Sequence, residues 1–117
     1  MSEITRRKTA ADDPACTIDF ESRGCRKILQ RNPSLEERIR DTLRRQISQG
    51  FTRTKAASRL KWNGLTVYEI RVNDPSVKAV RVAFTAQGSS IHVLFISTSI
   101  QKNEFSREID SFLKSGS

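Results

Sequence analysis

The sequence predicts an α+β fold in the order β-α-α-β-β-β-α, with helices packed against one face of an antiparallel sheet, and three observations predict it. Apolar residues between positions 25 and 47 recur at helical spacing. Three later runs alternate at period two and are joined by connections of a few residues, the signature of a meander. The chain then closes on a second helical stripe.

Met1 to about Pro14 is polar and aperiodic, so residues 1–14 are read as a flexible tail and 15–115 as a single domain. Thr17-Ile18-Asp19-Phe20 alternates as a short first strand. Cys25, Ile28 and Leu29 follow helical spacing up to Asn32-Pro33, where proline disfavours helix at the residue before it. Ser34 is placed as the next N-cap, with Glu37 completing a capping box. Leu35, Ile39, Leu43 and Ile47 form the buried stripe of that helix, and Gly50 is its stop. Residues 51–63 read as a polar, basic connector ending in an Asn63-Gly64 turn. Strands are expected over 65–72, 77–86 and 91–98. Asn103 is expected to cap a last helix carrying Phe105, Ile109, Phe112 and Leu113.

Charge is unevenly placed. Of a net charge of +8, the whole excess lies in residues 20–61, where twelve Lys or Arg face Glu21, Glu36, Glu37 and Asp41. Such a surface is the footprint of a polyanion ligand, and Arg44, Arg45, Lys55, Arg59 and Lys61 are its candidate nucleic-acid contacts. No apolar run reaches the roughly 20 residues of a membrane span, and the N-terminus lacks a signal-peptide core, so a cytoplasmic protein is expected. Cys16 and Cys25 do not have zinc-ligand spacing and read as buried thiols. His92 has no second ligand candidate beside it, and its parity groups it with Leu94 and Ile96 in the core.

Alternation within the strands isolates the candidate site. Tyr68, Ile70 and Val72 share one face with Val80, Val82 and Phe84, which leaves Glu69, Arg71, Ala79, Arg81 and Ala83 on the other. Arg71 and Arg81 are thus aimed at one polar face, with small neighbours leaving room for a groove. Glu69 shares that face, as a salt-bridge partner that orients an arginine or as a base.

The runs Arg59-Leu60-Lys61, Gly64 to Val72 and Val80-Arg81-Val82-Ala83-Phe84, with the apolar strand Ile91–Ile96 and the closing Arg107-Glu108-Ile109, resemble the toxins of the RelE/ParE superfamily, the HigB-like branch most closely. The likeness spans approximately residues 16–115, and the order of short motifs carries it. It implies a toxin of a type II toxin-antitoxin system, a metal-independent endoribonuclease acting on mRNA, usually at the ribosome, with no cofactor. It also implies a cognate antitoxin, acidic and wrapped on the basic surface, in a complex that would also bind operator DNA. By position, Arg81 matches the family's central strand arginine and Arg71 a basic strand residue on the scissile phosphate. Lys102 falls near the basic element that follows the last strand in the family, where the spacing departs from the pattern. The same fold also serves gyrase-directed toxins, and a catalytically degenerate relative would bind only an antitoxin or nucleic acid.

Overall fold

The computed structural model describes residues 17–49, 55–75, 78–98 and 101–116, and of Lys102 the backbone only. The expected tail 1–14, Cys16 and Gly50 lie outside the described residues. The element order is β1 (Thr17–Phe20), α1 (Ser22–Arg31), α2 (Pro33–Ser48), β2 (Lys55–Trp62), β3 (Leu65–Asp74), β4 (Lys78–Gln87), β5 (Ser90–Ser97) and α3 (Lys102–Gly116). The fold is α+β, as expected, but differs from the expected architecture in three respects.

First, the sheet has five strands, in the order β1-β5-β4-β3-β2. The extra strand, β2, occupies the expected connector. Its Lys-Ala-Ala-Ser-Arg-Leu-Lys-Trp sequence lacks β-branched residues and buries only Ala57, so it carries no alternating signal. The adjacent hairpin turn is nevertheless well marked: Asn63 and Gly64 both adopt positive φ, at 49° and 81°, the primed-turn geometry that Asn-Gly favours. Second, the sheet is mixed rather than antiparallel, because β1 runs parallel to β5 while β2 to β5 form the meander.

Third, helices cover both faces. Leu35, Ile39 and Leu43 of α2 and Cys25 of α1 pack on Ile70, Val72, Val80, Val82, Phe84 and Val93. On the opposite face, Phe105, Ile109, Phe112 and Leu113 of α3 pack on Ala57, Val67, Ala83 and Leu94. Each fully buried leucine or phenylalanine in these layers contributes about 2 kcal/mol of apolar transfer. Small residues at 79 and 83 therefore do not open a groove; both are buried, Ala83 under α3.

A bulge on β5 sets the remaining geometry. Ala83 pairs with Phe95 but Phe84 pairs with Val93, so Leu94 is an extra residue. Leu94 and Phe95 both belong to the α3 layer, while Ile96 belongs to the α1–α2 layer. His92 therefore does not share a face with Ile96 and is not a core residue; the one-residue insertion breaks the parity that the sequence suggested. At α2, Pro33 takes the first helical turn and Asn32 the N-cap position without a side-chain cap, so the expected Ser34–Glu37 capping box does not form. Ser34 instead donates to Asp74 Oδ1 at 3.4 Å. Asn32 closes α1 by donating from Nδ2 to Ile28 O at 2.9 Å.

Much of the basic excess is structural. Arg23 donates to Phe112 O and Ser115 Oγ, each at 3.1 Å, and its guanidinium lies 3.9 Å from the centre of the Phe112 ring, joining α1 to α3. Arg40 donates to Ile18 O and to Glu36, both at 3.0 Å, which ties α2 to β1.

Candidate phosphate-binding site at the end of the sheet

Arg71 and Arg81 are direct Cα partners across the β3–β4 ladder, so both side chains leave the same face of the sheet. Opposed like charges repel unless a neighbour offsets them. Glu69, one pleat back on β3, does so: Arg81 Nη1 donates to Glu69 Oε1 at 2.9 Å. The carboxylate is 3% exposed and the guanidinium 20% exposed, so this pair is largely out of water. Lys55 stands opposite Glu69 on β2 and is exposed. On the β5 side Arg81 is opposed by Ser97, whose hydroxyl donates to Glu108 of α3. Arg81 thus sits between a buried carboxylate and a strand hydroxyl held by α3, a fixed cation with limited access to solvent.

Arg71 is different. It is exposed, and no carboxylate lies within ion-pair distance of it among the described residues. Among the described residues, the β2 ladder reaches as far as the Lys55–Glu69 pair, two residues before Arg71 on β3. Arg71 lines a cleft of about 400 Å³ between β3 and α2, together with Thr42, Arg45, Gln46 and Gln49. An adjoining cleft of about 280 Å³ adds Arg38, Asp41 and Asn73. Arg38, Thr42 and Arg45 fall at i, i+4 and i+7 of α2, and Gln49, its C-cap, continues the stripe that lines the two clefts. That stripe was readable in the sequence, yet Arg38 is a cleft residue that the sequence reading missed.

The other expected contacts are distributed. Arg44 is ion-paired to Asp41 at 2.9 Å and only 18% exposed, outside both linings. Arg45 lies in the cleft with Arg71. Lys61 donates to Thr66 Oγ1 at 3.0 Å near the hairpin turn. Thr66 and Arg71 are five positions apart on β3, a span of roughly 17 Å. Arg59 lines a separate groove between β2 and α3. Lys102 opens α3, and its side chain lies outside the described residues. Glu69 and Arg81 are therefore brought together, Arg71 joins Arg45 and Arg38, and Arg59 and Lys61 belong elsewhere.

The described tyrosine, cysteine and histidine lie elsewhere in the fold. Tyr68 is half-buried on the α1–α2 face, against Phe84. Burial pushes the Cys25 thiol up to about 12, and its Sγ–H points to Val93 O. His92 lies at the opposite end of the sheet, with Asp19 on Nδ1 and Glu21 Oε1 at 3.0 Å from Nε2. Its ring centre is 6.3 Å from that of Trp62, which stacks on Phe112 at 5.9 Å and so anchors α3. Burial alone would lower the His92 pKa, but the hydrogen bonds and charges of Asp19 and Glu21 outweigh it and raise the pKa above the ordinary 6.5. The folded chain therefore holds the His92 proton more tightly than the unfolded chain. The stabilisation is full below 6.5 and is lost as pH rises through the raised folded value. Urea midpoints measured from about pH 5 to pH 9 should fall across that window, and His92→Asn should abolish the step.

In comparisons with protein-family models, with curated proteins and with solved structures, nothing matches the chain. No described helix is long and apolar enough to cross a membrane.

Proposed function

We propose that this chain is a toxin of the RelE/ParE kind, a metal-independent endoribonuclease that acts on mRNA at the ribosome and is neutralised by an acidic antitoxin. The observation that carries this reading is the in-register pair of strand arginines, Arg81 clamped by Glu69 and Arg71 exposed, of which Arg71 also lines a cleft with Arg45. The RNA backbone runs along α2, where Arg38 and Arg45 neutralise phosphates, and the scissile phosphate reaches Arg71. Cleavage requires attack of the 2′-oxygen on the adjacent phosphorus, with loss of the hydroxyl proton and departure of the 5′-oxygen, which takes up a proton. A 2′,3′-cyclic phosphate and a 5′-hydroxyl result. Arg71, free to form a bidentate contact, binds the non-bridging oxygens, and Arg81 stabilises charge as it develops there. Glu69 holds Arg81 in orientation, and Lys102 is the cation proposed at the start of α3.

A second reading, a relative that binds RNA or an antitoxin without cleaving, is favoured by one specific observation. The Arg81 charge is already balanced by a buried carboxylate, and neither the imidazole nor the phenol among the described residues is at the pair.

The two readings separate in one assay, cleavage of a defined mRNA in EDTA with and without ribosomes. Arg71→Ala is expected to lower turnover more than affinity, because its contact strengthens as charge builds on the phosphate. Arg45→Glu is expected to weaken binding and flatten its salt dependence by about 0.7 in logarithmic slope per lost phosphate contact. Salt-sensitive binding with no cleavage in either condition would establish the second reading instead.

A further inference from the structure

The end of the sheet far from the arginine cleft carries a cavity of the opposite charge. Thr85 and His92 share the sheet face that α3 covers, because their neighbours Phe84 and Val93 belong to the α1–α2 layer. They are Cα partners across β4 and β5, and His92 is the partner of Asp19 across β5 and β1, so the three form one row on that face. Phe112 of α3 stacks on Trp62, and beside this ring a cavity of about 390 Å³ opens over the row. Glu21, the residue before α1, adds to its wall. No lysine or arginine lines it, in a chain of net charge +8. Thr85 is 2% exposed and lines the cavity, and its hydroxyl has no hydrogen-bond partner among the described residues. A buried hydroxyl left that way is costly unless a ligand or water satisfies it. Asp19 engages Nδ1 of His92 and Glu21 engages Nε2. Two carboxylates thus share one imidazole, and at least one negative charge stays unbalanced in either protonation state of the ring. Because they sit on different ring nitrogens they do not converge on one ion, and no metal-binding trio of His, Cys, Asp or Glu exists among the described residues.

We infer that this cavity binds a small organic cation, a guanidinium or primary ammonium group on an aliphatic stem. Such a group brings only N–H donors, which suits the acceptor-only carboxylates and the Thr85 oxygen, and its charge offsets their surplus. Trp62 supplies an aromatic wall that attracts cations, and Leu65 an apolar surface for the stem. The same carboxylates repel phosphate, so the two ends of the sheet are divided between cation and anion. The site stands whether or not the chain cleaves RNA, since it shares no residue with the clefts of Arg38, Arg45 and Arg71. The bound cation and the His92 proton compete for Asp19 and Glu21, so affinity rises with pH as the imidazole loses its proton. Thr85 on β4 and Trp62 on β2, the other neighbours of the ring, carry no charge.

The test uses the full-length chain and its single tryptophan, Trp62, whose fluorescence reports on the cavity. N-butylguanidine, charged at neutral pH, is titrated beside its uncharged isostere N-butylurea, and the amide shifts of Thr85 and His92 are followed in parallel by NMR. The guanidine is expected to bind about tenfold more tightly than the urea. Glu21→Gln should weaken it about tenfold and Thr85→Val about threefold, in chains that still melt cooperatively. Between about pH 6 and pH 9 the affinity should rise about fivefold, and His92→Asn should flatten that rise, a response that a merely structural row would not give. Comparable binding of a capped Gly-Arg-Gly peptide would assign the cation to a protein side chain, and exclusion of the peptide would assign it to a free small molecule. Equal affinity for guanidine and urea, no fluorescence or amide shift, full affinity in both Glu21→Gln and Thr85→Val, or tighter binding of inorganic phosphate than of the guanidine would each overturn the proposal.

Discussion

Gly24→Ala is expected to cost the domain about 3 kcal/mol or more, although Gly24 lies in a helix where alanine normally helps. A Cβ built there would lie 2.0 Å from the carbonyl oxygen of Leu94 and 2.9 Å from Cε1 of Phe112. The first obstacle is backbone. Leu94 is the extra residue of the β5 bulge, so its carbonyl cannot retreat without undoing the bulge that seats both Leu94 and Phe95 in the α3 layer. Helix α1 must therefore lift by roughly 1 Å to restore van der Waals separation, weakening contacts in the densely packed core. That movement also loosens Cys25 beneath it and the Arg23 bonds that reach α3. Urea unfolding measures the loss. Gly64→Ala is the control, because its φ is 81° and an added Cβ would meet nothing within 4 Å. That change costs only the left-handed backbone penalty of about 1 kcal/mol. Equal losses at the two sites would mean that the α1–β5 approach is softer than its geometry indicates.

The same bulge shows where sequence reading stops. Period two is reliable along an uninterrupted ladder, and that is why the register of Arg71 against Arg81 and the facing of Tyr68, Ile70 and Val72 could be read directly. One inserted residue at Leu94 reverses the parity, and no glycine or proline marks it, so alternation alone puts His92 and Ile96 on one face when they lie on two. The α3 stripe was legible as a helix, but a stripe does not say which sheet face it will cover. Small residues at 79 and 83 are compatible both with an open groove and with a close approach by other parts of the chain. Strand β2 escapes the pattern because an edge strand needs little apolar alternation, and its identity comes from pairing with β3. Charge location was legible as a surplus in residues 20–61, but not its division between Arg23 and Arg40, which brace helices, and Arg38 and Arg45, which line the cleft.

Arg81 and Glu69 are expected to behave as one unit in stability, and this bears on how the proposed chemistry is tested. Arg81→Ala leaves a carboxylate that is 3% exposed without the guanidinium that balances it. Breaking such a pair from one side costs about 3 kcal/mol. Glu69→Ala should cost less, about 2 kcal/mol, because Arg81 retains 20% exposure and can turn part of its charge to water. The double variant should recover much of the loss, giving an interaction energy of about 2 kcal/mol in a double-mutant cycle read by urea unfolding. Additive losses would show that Arg81 and Glu69 contribute to stability independently of each other. A loss of RNA activity in Arg81→Ala therefore mixes unfolding with chemistry, whereas Arg71→Ala, at an exposed position without a carboxylate partner among the described residues, reports on the phosphate contact alone. If Arg81 stabilises charge on the phosphate, Arg81→Lys in a chain that still melts cooperatively should bind RNA nearly as well as the parent and turn it over far more slowly. A lysine keeps the charge opposite Glu69 but lacks the planar fork. Full turnover in that variant would confine Arg81 to holding the sheet together.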